Sequence, residues 1–119
     1  MKGEKMALRR MISNTVVESD SFYHLTPSAQ ALYLHLNMCA DDDGTVDLWK
    51  GILRCLRIKR EHLDALIREG LVIELPSGAL LVADWLVNNR IRTDRYVRGR
   101  HSAEVDRMRV LPSGRYIKP

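Results

Sequence analysis

The sequence predicts an α+β domain that is mainly helical, and three stretches predict it. Thr26-Pro27 opens a run whose apolar residues recur at helical spacing. Asp47–Glu69, DLWKGILRCLRIKREHLDALIRE, carries two shorter apolar stripes broken at Arg57-Ile58-Lys59. Leu71–Leu75 and Ala79–Ala83 are short aliphatic runs on either side of Pro76-Ser77-Gly78, the pattern of a hairpin with a three-residue tip.

A chain of 119 residues has material for one ordinary domain, and 45% hydrophobic with 29% charged residues is a globular balance. No apolar run approaches the ~20 residues that cross a bilayer. The N-terminus MKGEKMALRRMIS lacks the long apolar region of a secretory signal. A soluble, cytoplasmic protein without a membrane partner is therefore expected. Two cysteines make no disulfide framework, and Cys39 and Cys55, each in a helical pattern, are expected to be buried free thiols. Charge is uneven. Residues 1–83 hold 10 Lys/Arg against 11 Asp/Glu, net −1, whereas residues 84–119 hold 9 against 4, net +5, which gives the overall +4. A basic segment beside a domain attracts phosphate, and without a lysine-rich amphipathic helix nucleic acid is favoured over membrane.

Met1–Arg10 is polar and basic enough for a loose arm, with Leu8, Met11 and Ile12 as the first candidate anchors. A short helix is expected around residues 14–19, where Val16 and Val17, with Phe22 and Leu25 beyond, suit a core. Thr26 supplies an N-cap oxygen and Pro27 a first helical residue that needs no N–H. Ala29, Leu32, Tyr33, Leu36 and Ala40 then form one buried face as far as about Cys39, with Gln30 and His35 outward.

Asp41-Asp42-Asp43-Gly44 ends that helix as a solvated turn. Counted as a calcium loop from Asp41, its sixth and twelfth positions hold Val46 and Ile52 where glycine and a bidentate glutamate are required. Thr45-Val46 suits a brief strand. Asp47 is placed to cap the next helix, with Leu48, Ile52, Leu53 and Leu56 apolar. The helix after the break buries Leu63, Leu66 and Ile67 and ends at Gly70. Asp84–Arg92 is a short helix or closing segment in which Trp85 seals the core, and beyond Thr93 the pattern becomes arginine-rich.

That order is the layout of a winged helix-turn-helix with a two-stranded wing. It places a flexible arm at 1–12, a winged helix domain at 13–92 and a basic C-terminal extension at 93–119. At SAQALYLHLNMCADDDG (Ser28–Gly44) and GLVIELPSGALLVADWLVNNRIRTDRY (Gly70–Tyr96) the chain resembles the N-terminal winged helix domain of phage replisome organisers of the DnaD-like group. The likeness spans roughly residues 8–97 and is most specific in the AQALY-to-DDDG helix exit and the W-x-x-N-x-x-I-R-x-D-R-Y segment. It implies origin DNA binding, with a homo-oligomer and a replisome protein as further partners. After Tyr96 the chain has Val97-Arg98-Gly99 where the family often has a proline. It also leaves no room for the family's second domain, so loader recruitment does not carry over.

Double-stranded DNA is thus the expected partner. A recognition helix starting near Arg60 offers Lys59, Arg60, His62 and Arg68 opposite its apolar stripe, Ser77 sits at the wing tip, and Arg90, Arg92, Arg95, Arg98 and Arg100 follow phosphates beyond the domain. Tyr96 either stacks on a base or packs back. Glu61, Asp64 and Glu69 offset the helix cations, so most of the attraction is expected from the arginines. Winged helices also serve as transcriptional regulators and as protein-docking modules. His35 and Cys39 are four apart but lack a second ligand pair. No nucleotide-binding glycine loop, HExxH pair or nucleophile elbow occurs, and no nucleophile is paired with a base. Neither enzyme activity, metal nor cofactor is expected.

Overall fold

Two serine hydroxyls start the first two helical turns of the protein, whose structure is a computed structural model describing residues 8–119. Ser13 Oγ accepts from Thr15 N–H to open α1 (Asn14–Val17), and Ser19 Oγ accepts from Phe22 N–H to open α2 (Asp20–Tyr23). The helix expected at 14–19 is therefore two single turns, with Val16 and Phe22 buried. Thr26 caps α3 (Pro27–Cys39) through Ala29 N–H, and the face holding Ala29, Leu32, Tyr33 and Leu36 is buried as its spacing predicts. Cys39 and Cys55 are both exposed, contrary to expectation, because each lies beside its helix's buried stripe rather than on it.

The short strand β1 (Thr45–Val46) leads into α4 (Trp49–Leu56). Leu48, not Asp47, holds the N-cap position of α4, without a side-chain bond, and its side chain is 80% exposed rather than packed. No glycine marks the break after α4. Arg57 itself adopts the left-handed conformation (φ 57°), and Ile58 N–H reaches back to Leu53 O at 3.0 Å, closing the helix as a glycine ordinarily would. The next helix, α5 (Arg60–Arg68), buries Leu63 and Leu66 against α3 and ends at Gly70.

Strands β2 (Val72–Glu74) and β3 (Leu80–Val82) form the expected hairpin, and β1 joins it to give an antiparallel sheet of order β1-β3-β2. Val46, Val72, Leu80 and Val82 belong to the main core with the helices. Alternation sends Ile73, Leu75, Ala79, Leu81 and Ala83 to the opposite face, and these are buried too. Their cover comes from the C-terminal part. After α6 (Trp85–Asn88) the chain forms α7 (Ser102–Asp106) and a small hairpin of β4 (Arg109–Val110) and β5 (Tyr116–Ile117). Val105, Met108 and Tyr116 pack on the second face. Tyr116 N–H bonds Ala83 O at 2.8 Å, and the Arg115 guanidinium clasps buried Asp84 at 2.9 and 2.7 Å. Residues 93–119 are thus part of the packed body.

Of the expected arm, residues 1–7 lie outside the described residues. Leu8 and Met11 are exposed as side chains, so the anchoring there is polar. Met11 N–H donates to Asn89 Oδ1 (2.7 Å), Ser13 N–H donates to Asn88 Oδ1 (2.8 Å), and Asn37 Nδ2 donates to Met11 O (3.0 Å). Asn88 also donates to Tyr33 Oη (2.8 Å) and Asn37 Oδ1 (3.2 Å), so α3, α6 and the incoming chain share one buried network. Among the described residues no helix is long and apolar enough to cross a membrane.

Two substitutions probe the backbone directly. Gly44 has φ +89°, and a Cβ there would lie 2.5 Å from Trp85 Cγ, so Gly44→Ala should cost about 2–4 kcal/mol in chemical denaturation. Arg57→Gly should gain roughly 0.5–1 kcal/mol by relieving the left-handed arginine; a loss of stability would mean the arginine side chain outweighs its backbone strain.

Candidate nucleic-acid interface

The hairpin tip meets the start of α4 across a groove of about 500 Å³, lined by Lys50, Arg54, Arg60 and Ser77 with Asp47 and Glu74. Local sequence explains why it is basic. The first turn of α4 contains no acid and no side-chain cap, so the N–H groups before Ile52 have no partner within the helix. Lys50 and Arg54, four residues apart, share one side of that helix. The space over Gly51 is open, since a Cβ there would meet nothing within 4 Å. Trp49 fixes the walls: its indole N–H donates to Gly78 O at 2.9 Å, while the Arg60 guanidinium lies 4.9 Å and the Lys50 ammonium 5.5 Å from its ring centroid. The expected DNA-facing set did not contain Lys50 or Arg54; their spacing on an acid-free helix start was the available signal.

The residues that were expected separate into groups. Lys59 stands exposed at the N-cap of α5, and Arg60 enters the groove while also bonding Asp64 at 3.0 Å and facing Glu74 at 3.7 Å. His62 turns away, its Nδ1 2.9 Å from the Thr26 hydroxyl, and ties α5 to the cap of α3. Arg68 is exposed at the far end of α5, about 12 Å along the axis from Arg60. Arg92 closes a two-bond pair with Asp94 at 3.1 and 3.0 Å, and Arg100 faces Asp47 at 3.9 Å. Among the described residues Arg90, Arg95 and Arg98 are exposed without an acidic partner.

Tyr96 packs back. Its hydroxyl donates to Asp43, Val97 N–H donates to Asp42 Oδ2 at 2.9 Å, and Gly99 N–H donates to Asp43 Oδ2 at 2.8 Å. The turn expected to be solvated is therefore an acceptor platform for residues 96–99. A Cβ on Gly99 would lie 2.5 Å from Asp41 Oδ2, so only glycine approaches this closely. Asp42 also pairs with buried Arg10 at 3.0 Å, and its carbonyl accepts from the Trp85 indole at 2.9 Å.

Ser77 is occupied as well. Its N–H donates to Glu104 Oε2 at 2.9 Å, and its hydroxyl lies 3.2 Å from His101 Nδ1. His101 Nε2 is 2.6 Å from Asp47 Oδ1, and its Nδ1 is 3.2 Å from Glu104 Oε1. The bond to Ser77 holds the Glu104 carboxyl below the usual glutamate range, against partial burial. The fold thus aligns a hydroxyl, an imidazole and a carboxylate, a pairing no sequence motif announced. Nδ1 lies 3.2 Å from both the Ser77 hydroxyl and Glu104 Oε1, and only the contact with the hydroxyl has hydrogen-bond geometry, with the donor set by the imidazole tautomer. Among the described residues no group of three His, Cys, Asp or Glu is placed to hold a metal.

The chain matches no family model, no curated protein and no solved structure.

The strap at Tyr96 has a pH signature. Burial and the bond to Asp43 push its phenol up to about 12 from 10.0, so its contribution to stability is complete below pH 10 and is lost as pH rises through about 12. Subtracting the ultraviolet titration of Tyr96→Phe from that of the native chain should isolate an ionisation near 12; one near 10 would mean that the hydroxyl does not engage Asp43.

Proposed function

We propose that the chain is a DNA-binding winged helix protein that serves as an origin-binding, replisome-organising module of a phage or prophage. The observation that carries DNA binding is the groove between α4 and the hairpin tip, where Lys50, Arg54 and Arg60 converge beside an uncapped helix start. Such a start directs N–H groups and positive potential at an anion. The element order and the β1-β3-β2 sheet support the winged helix reading, with α5 as recognition helix and β2–β3 as wing. The replication role rests on the resemblance through the DDDG exit and the W-x-x-N-x-x-I-R-x-D-R-Y segment.

In this reading the phosphate contacts divide. Lys50, Arg54 and Arg60 hold the backbone next to α5, Lys59 stands at the edge of the base-reading helix, and Arg90, Arg95 and Arg98 add attraction from the C-terminal side. His62, Arg92 and Tyr96 serve the fold. A second reading, a protein-docking winged helix, is favoured by the acid–base pairing on α5 and by Leu34 and Met38, exposed on α3 at 40% and 51%. A transcriptional regulator differs only in the site it selects, which sequencing of bound genomic fragments would assign to an origin or a promoter.

Duplex binding followed by fluorescence anisotropy from about 50 to 200 mM salt should weaken steeply. Lys50→Ala with Arg54→Ala should make the log–log salt dependence shallower by roughly 0.9 for each phosphate no longer neutralised, and so should Arg90→Ala with Arg95→Ala and Arg98→Ala. Replacing Arg92, already paired with Asp94, should change it least. Absence of duplex binding at the lowest salt would remove the DNA reading and leave protein docking.

A further inference from the structure

At the hairpin tip the protein holds one of its own carboxylates where donors converge. Ser77 offers its N–H and hydroxyl, and His101, braced from behind by Asp47 at 2.6 Å, brings Nδ1 to the same place. Glu104 fills that place with both oxygens, Oε2 at 2.9 Å from Ser77 N and Oε1 at 3.2 Å from His101 Nδ1. The fit is incomplete: Oε1 is buried, yet it makes no bond of good hydrogen-bond geometry. Ser77 Oγ and His101 Nδ1 share one hydrogen bond, so with Nδ1 as its donor Ser77 is left with its N–H and its hydroxyl proton for two oxygens of one anion, an edge that a phosphate also presents. Ser77 also lines the basic groove of Lys50, Arg54 and Arg60, so the seat borders it.

We infer that Ser77 and His101 form a phosphate seat at the hairpin tip and that Glu104 is its internal occupant, displaced when a phosphodiester enters. The seat stands on its own geometry; that a nucleic acid supplies the phosphate rests on the DNA-binding reading. Glu104 reaches the seat from the first turn of α7, which is anchored separately by Val105 in the second core cluster. Displacement therefore requires a rotation of the Glu104 side chain rather than unfolding of α7. An internal competitor lowers apparent affinity by the fraction of molecules in which the seat is open. Removing it should tighten phosphate and duplex binding together.

The native chain, Glu104→Ala, Glu104→Gln and Asp106→Ala are compared, the last removing the same charge from an exposed neighbour on α7. Inorganic phosphate is titrated at constant ionic strength while the Ser77 amide is followed by NMR. A 20-base-pair duplex is titrated by anisotropy. In Glu104→Ala the Ser77 amide should respond to phosphate and duplex affinity should rise about fivefold or more, as for a seat previously open in a minority of molecules. Asp106→Ala should behave like the native chain. If Glu104→Ala unfolds α7, seen as rapid exchange of the Val105 amide, Glu104→Gln decides, because it keeps an acceptor for Ser77 N–H without the charge. A Ser77 amide indifferent to phosphate in both Glu104 variants overturns the seat. Equal duplex gains in Asp106→Ala and Glu104→Ala overturn its role in binding the duplex, leaving a bulk charge effect. A phosphate response without duplex binding by any variant keeps the seat and removes the DNA reading.

Discussion

Trp85 packs closely against Gly44, and the rest of the structure depends on that contact. The indole is buried, the turn offers the Asp42 carbonyl to its N–H, and Arg10 stacks 5.1 Å from the ring centroid while pairing with Asp42. A side chain at position 44 would separate tryptophan from turn. The turn is then free to use its carboxylates outward, where Asp42 and Asp43 take the N–H groups of Val97 and Gly99 and the hydroxyl of Tyr96. Three adjacent acids would repel one another in isolation. Donors from the N-terminal segment, α6 and the 96–99 strap surround them, so the repulsion becomes a reason for distant parts of the chain to meet.

The segments that carry the family resemblance take on a different meaning in this setting. Trp85, Asn88 and Tyr96 of the W-x-x-N-x-x-I-R-x-D-R-Y segment bind the DDDG turn, Tyr33 and Asn37. Arg92 and Asp94 bind each other. These residues hold α3, the turn and α6 in one arrangement, and their side chains are consumed in doing so. Trp85, Asn88 and Tyr96 are therefore committed to the framework, whereas Lys50, Arg54 and Lys59 lie outside both segments.

The parts legible in the sequence are those fixed by local chemistry: the Thr26-Pro27 start, the apolar stripes of α3 and α5, and the hairpin around Pro76-Ser77-Gly78. The helix break was legible in position but not in means, since an arginine rather than a glycine takes the left-handed conformation. Long-range matters were not legible. Nothing near Asp41 indicates that residues 55 positions later supply its neighbours' hydrogen bonds. His62 looked like an outward residue because its partner, the Thr26 hydroxyl, is 36 positions away. One unused signal was present: Leu80-Leu81-Val82 lacks the polar alternation of a half-exposed strand, and such a run implies cover on both faces. The C-terminal extension is that cover.

Cover and charge impose opposite demands on the extension. To pack on the sheet it must bring α7 against the hairpin, which carries Glu104 to the tip and sets Asp47, His101 and Arg100 in line beside the groove. To add positive potential it must keep its arginines unpaired. The chain meets both demands by dividing them. Arg115 clasps buried Asp84 and serves the packing, Arg92 and Arg100 face Asp94 and Asp47 at the surface, and Arg90, Arg95, Arg98, Arg107, Arg109 and Lys118 are exposed with no acidic partner among the described residues. The net charge of +5 on residues 84–119 is lowered only by Arg100 facing Asp47 of the first part, and the balanced charge of the first 83 residues hides the cations gathered in the groove. Three cations beside an uncapped helix start focus more potential on one phosphate than several spread along an exposed strand, because field strength depends on convergence and local dielectric as well as on total charge. The cations of the α4 groove and the first turn of α5 are therefore neighbours in the structure.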